Sequence, residues 1–251
     1  MQSLVLPEGM KAPGHLARVA GWRPDAFVVA GWYHMVPRAW RQLAPAYGLH
    51  ASLLPDYSGG APLVWAIING EKRTGITLFR FEDGVDAGPI VAQGATEIRD
   101  EDTIATLYER VATLGESLLR EHMPRLADGT ASLRAQQDSA RRVFPQRGPE
   151  DGVIDWTLDA RQLINFIRAQ TKPYPGAFTT AHGRKLTVWA ARAVPPDCPA
   201  RGAGEVWHRD GGVLVQTGQG GIELINVTLE QDSMSGQELT RHVAAGTRLG
   251  K

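Results

Sequence analysis

The residues best suited to chemistry crowd into one stretch of this chain. In "GLHASLLPDYSGGAP" (48–62), His50 precedes a turn stiffened by Pro55 and Pro62 and containing the adjacent glycines Gly59 and Gly60. Asp86 follows 36 residues later in "FEDGVDAGP" (81–89), close to Glu82 and Asp83. A carboxylate hydrogen-bonded to an imidazole nitrogen fixes the tautomer and raises the basicity of the ring, the arrangement a general acid–base needs. Two plainer readings stand beside this one: His50 as a satisfied structural residue, and Asp86 as an Asx-type turn former. No cysteine or second histidine lies at metal-ligand spacing nearby, so no metal is expected. Neither a dinucleotide-binding nor a P-loop glycine pattern is present.

Both groups need a scaffold. "DAFVVAG" (25–31) is a short apolar run ending in glycine, the signature of a buried strand in a parallel sheet. "PRAWRQLAPAY" (37–47) follows as a helix opened by proline. "GLHASLLP" (48–55) is a second strand, "PLVWAIING" (62–70) a helix closed by glycine, and "TGITLFRFED" (74–83) a third strand stopped at Asp83-Gly84. Ile104, Leu107, Val111, Leu114, Leu118 and Met123 recur at helical steps behind Asp102 and Thr103, which predicts a long capped helix over 102–126. Strands alternating with helices imply an α/β sheet, and ligands on such sheets sit beyond the carboxyl ends of the strands, where His50 falls.

Past residue 130 the texture changes. "RAQQDSARRVFPQRGPEDG" (134–152) is polar and aperiodic and reads as a linker. It divides a domain over 1–133 from one over 153–251. The second domain opens with the helix "TLDARQLINFIRAQ", which presents Leu163, Phe166 and Ile167. Short strands split by His-Gly, Asp-Gly-Gly and Gly-Gly turns follow, implying a small antiparallel barrel or sandwich. A last helix starts at "SGQE", where Ser235 and Glu238 form a capping box.

The totals exclude several classes. With 251 residues the chain is long enough for one large or two modest cores, and 27 basic against 27 acidic residues exert no general pull on nucleic acid or membranes. A single cysteine, Cys198, rules out an internal disulfide framework, and no apolar run reaches the length of a membrane span. Without a recognisable signal segment at "MQSLVLPEGMKAPGHL", the expected location is cytoplasmic.

The run "GLHASLLPDYSGGAPLVWAIINGEKRTGITLFRFEDGVDAGPIVAQ" (48–93) resembles the 10-formyltetrahydrofolate-dependent formyltransferases. The matching parts are His50–Pro55, Gly59–Pro62, "TGIT" (74–77) and "DGVDAG" (83–88), with "PEDGVIDW" (149–156) and "PYPGAF" (173–178) resembling the start of the family's C-terminal domain. The resemblance implies a Rossmann-like α/β formyltransferase domain followed by a small OB-like β-barrel. It implies His50 as the catalytic histidine, Asp86 as its partner, and 10-formyltetrahydrofolate as formyl donor. Contacts to the folate would come from His34, Met35 and Val36, from Ser52, Leu53, Leu54 and Pro55, and from the loop Glu82, Asp83, Gly84 and Val85. On their own, Leu53 and Leu54 read equally well as core.

Two departures accompany the resemblance. The family carries asparagine two residues before the histidine, where its amide helps hold the formyl oxygen; here the residue is Gly48. Glycine would leave room for a water, or for Tyr33 or His34 to reach in. Family members also have a strand-loop-helix-strand portion ahead of "RPDAFVVAG" for which little chain remains, so the sheet is expected to be N-terminally incomplete. For the acceptor, residues 151–251 hold 11 basic and 10 acidic side chains, too balanced for a tRNA-binding surface. Trp65 resembles the tryptophan of the amino-sugar enzymes. A small primary amine such as a nucleotide-linked amino sugar is therefore the expected acceptor. Methionyl-tRNA, water, and folate binding without turnover are the alternatives.

Overall fold

The computed structural model describes residue 10 and residues 14–31, 35–194 and 201–250. In chain order the elements begin with α1 (His15–Ala20), β1 (Phe27–Val29), α2 (Arg38–Leu43), β2 (Ala46–His50), β3 (Ser58–Gly59) and α3 (Pro62–Ile68). Next come β4 (Arg73–Arg80), β5 (Ile90–Glu97), α4 (Ile104–Ala127), β6 (Val143–Phe144) and α5 (Ala160–Gln170). The chain ends with β7 (Ala177–Ala181), β8 (Arg184–Val194), β9 (Val206–Arg209), β10 (Gly212–Gln216), β11 (Gly221–Leu229), β12 (Asp232–Ser235) and α6 (Gly236–Leu239). These elements group into two compact units, the first comprising 1–62, 73–97 and 110–145, the second 63–72, 98–109 and 146–251.

The first unit is built on a four-stranded sheet in the order β1-β2-β4-β5. Only β1 and β2 run parallel, joined through α2; β4 is antiparallel to β2 and to β5. The parallel pairing expected of 25–31 holds for β1 with β2, but the sheet as a whole is mixed, and β4 and β5 run antiparallel because only the short loop 81–89 links them. The predicted helix over 37–47 stops at Leu43. Pro45 cannot continue it, and Ala46 and Tyr47 enter the sheet instead, both buried. Strand alternation then splits β2 between two faces. Ala46 turns toward Val19, Val36 and Trp40, while Tyr47 packs with Leu78 and Leu126. The C-terminal part of α4 lies close against the sheet at Gly115, where a Cβ would come within 2.7 Å of Ile76 Cδ1 and 3.1 Å of Leu49 Cδ1. Of the residues expected to face the core from this helix, Met123 is 40% exposed, and Leu126, one turn position on, is buried in its place.

The stretch read as a linker has definite partners in its first half. Val143 pairs with Ser58 and Phe144 with Gly59, and Arg134 exchanges backbone hydrogen bonds with Ile90 at 2.8 Å in both directions.

The second unit is β-rich. Its strands pair antiparallel in the order β7-β8-β11-β10-β9, with β12 alongside β11, over a core that includes Leu163, Ile167, Val188, Val213 and Leu224. No ladder closes β9 onto β7 among the described residues, so the expected closed barrel is corrected to an open path. Residues 246–250 hydrogen-bond to both edges, through Val206 N to Thr247 O at 2.8 Å and Gly250 N to Thr180 O at 2.9 Å. Helix α5 is capped by Asp159, whose carboxylate accepts from Gln162 N at 2.8 Å, and α6 by the Ser235–Glu238 box. Arg168, only 9% exposed, donates to the carbonyls of Arg99 at 2.7 Å and Asp102 at 2.8 Å and to Asn165 Oδ1 at 3.0 Å. These bonds tie segment 98–109 to α5.

Candidate active site

His50 ends β2, and both of its ring nitrogens face oxygen atoms. Nε2 lies 2.7 Å from the Tyr57 carbonyl oxygen, and Nδ1 lies 3.5 Å from Asp86 Oδ2. A carbonyl oxygen only accepts, so Nε2 carries the proton; Nδ1 can donate to Asp86 only when the ring is doubly protonated. The pair thus offers an imidazolium two acceptors, while a neutral ring satisfies one of them. Side-chain exposure is low, 11% for His50 and 17% for Asp86, so the charge interaction is little screened by solvent. Asp86 Oδ2 is itself held, accepting from Gly59 N at 2.8 Å.

Two non-glycine residues in the left-handed region flank the histidine, Tyr57 at φ 54° and Asp86 at φ 48°. An aspartate tolerates that conformation; a tyrosine does not without support from its surroundings. Tyr57 receives it from 142–144. Its ring stacks on Phe144 with centroids 4.5 Å apart, and the Arg142 guanidinium lies 4.7 Å from its centroid. Arg142 also grips Asp56 with two bonds of 2.6 Å. Gln136 Nε2 donates to the carbonyls of Asp86 at 2.8 Å and Gly88 at 2.7 Å, and Arg141 donates to the Val85 carbonyl. Sequence reasoning missed Tyr57, Gln136, Arg142 and Phe144 as supports of the site. The one trace of them was the apolar pair "VF" inside an otherwise polar segment.

The other site candidates divide. Ser52, 1% exposed, donates to the Asp56 carbonyl at 2.7 Å, and Leu54 is buried with Phe79 and Ile90. Leu53 Cδ2 lies over Gly75. Thr77 and Gln93 bind the backbone of this turn: Thr77 Oγ1 donates to Ser52 O at 2.7 Å, and Gln93 Nε2 donates to Leu54 O at 2.9 Å. The turn 52–55 is therefore held by Thr77 and Gln93, with Leu54 in the core and Leu53 half-buried. Val36 is buried and accepts from Arg41 Nε at 3.0 Å, whereas Met35 is 52% exposed. Asp83 is ion-paired to Arg41 at 2.6 Å, and that hydrogen bond holds its carboxyl below the usual carboxylate range. Glu82 pairs with Arg80 at 2.5 Å. Gly84 has φ 97°, and Val85 is 46% exposed. His34 and Tyr33 lie outside the described residues. A cleft of about 400 Å³ lined by Arg38, Arg41, Pro45, Arg80 and Phe81 opens beside Ala46, at the opposite end of β2 from His50.

Gly48 is covered. A Cβ there would stand 2.4 Å from Cε2 and 2.5 Å from Cζ of Phe81. The side-chain position at 48 is thus taken by a phenyl ring.

A mixed sheet carries the histidine–aspartate pair at a strand end, and a β-rich unit follows it in the chain. The chain belongs to the folate-dependent formyltransferase family: residues 7–123 match the formyl transferase domain and residues 147–243 the formyl transferase C-terminal domain. Among solved structures, it is similar to HypX from Aquifex aeolicus in complex with tetrahydrofolic acid, with a TM-score of 0.69 and 18% identity over 90% of this chain and 40% of that one. The chain thus spans about two fifths of HypX. It is also similar to the methionyl-tRNA formyltransferase of Clostridium thermocellum, with a TM-score of 0.60 and 19% identity over 86% of this chain and 82% of that one. A third likeness is to the N-formyltransferase of Helicobacter canadensis in complex with folinic acid and dTDP-3-aminofucose, with a TM-score of 0.61 and 19% identity over 83% and 73% of the two chains. Among the described residues no helix is long and apolar enough to cross a membrane.

Proposed function

We propose that this protein transfers the formyl group of 10-formyltetrahydrofolate to the primary amine of a small molecule, with a nucleotide-linked amino sugar as the favoured acceptor class. The observation that carries the reading is the His50–Asp86 pair at the end of β2, with Nδ1 and Oδ2 3.5 Å apart. In this reading the amine attacks the formyl carbon and the carbonyl oxygen becomes an oxyanion. Nδ1 of His50, the ring nitrogen left without a proton when Nε2 donates to the Tyr57 carbonyl, takes the proton that the attacking nitrogen must lose and returns it to N10 as the C–N10 bond breaks. Asp86 stabilises the imidazolium formed in between. The amine is the nucleophile, so no covalent enzyme intermediate is required. Chemistry is assigned to the domain over 1–133, with 134–152 as the connection and 153–251 as an accessory domain.

The acceptor class is supported by the balanced charge of residues 151–251 and by the bound aminosugar nucleotide of the Helicobacter enzyme. The test measures consumption of 10-formyltetrahydrofolate with no acceptor, with a dTDP-amino sugar, and with methionyl-tRNA. Consumption that depends on the sugar is expected. Acceptor-independent consumption would make the protein a hydrolase, tRNA-dependent consumption a methionyl-tRNA formyltransferase, and binding without consumption a folate-binding protein.

A further inference from the structure

Gly48 sits in the middle of β2, where extended backbone accepts any residue. A side chain there would meet Phe81, whose ring atoms Cε2 and Cζ fall 2.4 and 2.5 Å from the place a Cβ would occupy. The ring is not loosely placed. Phe81 N donates to Ala46 O at 2.7 Å, and its ring lies tilted on Phe79 with centroids 4.9 Å apart. It packs against the cluster of Val36, Trp40 and Ala46 and also against that of Leu54, Phe79 and Ile90. Strand alternation puts residues 46, 48 and 50 on one face, so the ring covers the position next to His50 on His50's own face of the sheet.

We propose that Phe81 is a positioning residue of the transfer site. Its ring takes the volume an amide at position 48 would need and so keeps a polar side chain out of the position next to His50 on that face of the sheet. The proposal rests on the formyl-transfer reading. It makes the loss of a polar side chain at 48 and the presence of phenylalanine at 81 a single steric event. Restoring the amide alone must then fail, and restoring it together with a smaller residue at 81 must succeed.

The experiment compares Gly48→Asn, Phe81→Ala, Phe81→Leu and the two double variants, reading thermal midpoint without ligand together with kcat and KM for 10-formyltetrahydrofolate. Gly48→Asn alone is expected to lower the midpoint by about 5 °C through overpacking and to lower kcat about tenfold. Adding Phe81→Ala or Phe81→Leu should recover most of the midpoint lost. It should also raise kcat up to about 10²-fold over the matching single variant at position 81, the lower end of what one oxyanion donor contributes, with KM little moved. Phe81→Leu keeps the comparison open if Phe81→Ala does not fold. Additive midpoints, or a Gly48→Asn variant that is as stable as the parent and faster, would overturn the proposal. If the parent transfers no formyl group at all, the functional reading fails, while the midpoints still report on the steric pairing.

Discussion

Replacing Asp86 by asparagine isolates its charge. The left-handed backbone at φ 48° suits asparagine as well as aspartate, and the amide oxygen can still accept from Gly59 N, now at 2.8 Å. What is lost is the attraction between a carboxylate and an imidazolium at 3.5 Å. At an effective dielectric constant of about 20, two unit charges at that separation interact by about 5 kcal/mol. The remaining amide dipole and solvent relaxation return a part of this, so about 3–4 kcal/mol of transition-state stabilisation should disappear. That corresponds to a fall of about 10²–10³ in kcat. The assay is steady-state formyl transfer with the amine acceptor proposed above, with folate binding and thermal midpoint measured on the same sample. Binding and midpoint should stay near parental values, because the Gly59 bond survives. Asp86→Ala should lose both rate and stability, since alanine tolerates the left-handed backbone poorly and leaves Gly59 N unpaired. A decrease in kcat of less than threefold in a stable Asp86→Asn variant would refute the argument that His50 works as an imidazolium stabilised by Asp86.

Other outcomes follow from the same geometry. His50→Ala should abolish formyl transfer while folate binding and the thermal midpoint persist, because the residue ends a strand outside the hydrophobic clusters; retained turnover would remove it from the mechanism. Arg142→Ala breaks the two hydrogen bonds to Asp56 and the contact with the Tyr57 ring; both partners are partly exposed, so a stability loss of about 1 kcal/mol or less is expected. Its effect should be clearer in kcat, through looser placement of the Tyr57 carbonyl on His50 Nε2, and rescue by Arg142→Lys should be incomplete because an ammonium cannot bind both carboxylate oxygens in parallel. Arg168→Met should cost about 2–4 kcal/mol in urea unfolding, since the carbonyls of Arg99 and Asp102 and the Asn165 amide oxygen lose a charged donor. Ending the chain after residue 145 should yield an unstable fragment, visible as aggregation or loss of cooperative unfolding, because segments 63–72 and 98–109 group with 146–251.

What the sequence disclosed and what it hid separate along physical lines. Periodicity and caps depend on residues within one or two turns, so α4, α5 and the Ser235 box were legible, as was the strand end at His50. The parallel or antiparallel sense of β4 was not, because an apolar run looks the same in either direction. Strand β5 went unread because "IVAQGATE" mixes glycine and polar residues, whose place in the sheet comes from its pairing with β4. The largest omission was segment 134–145. Its polar side chains act over separations of 50 residues or more, as Gln136 does on Asp86 and Arg142 on Asp56, and no local pattern records that. Gly48 is the sharpest instance. Read along the chain, it is a missing donor; read across the sheet, it is the residue that leaves room for the Phe81 ring, 33 positions away. A residue that departs from a motif is therefore read together with what fills its space, and here the Phe81 ring stands where a Cβ at 48 would be.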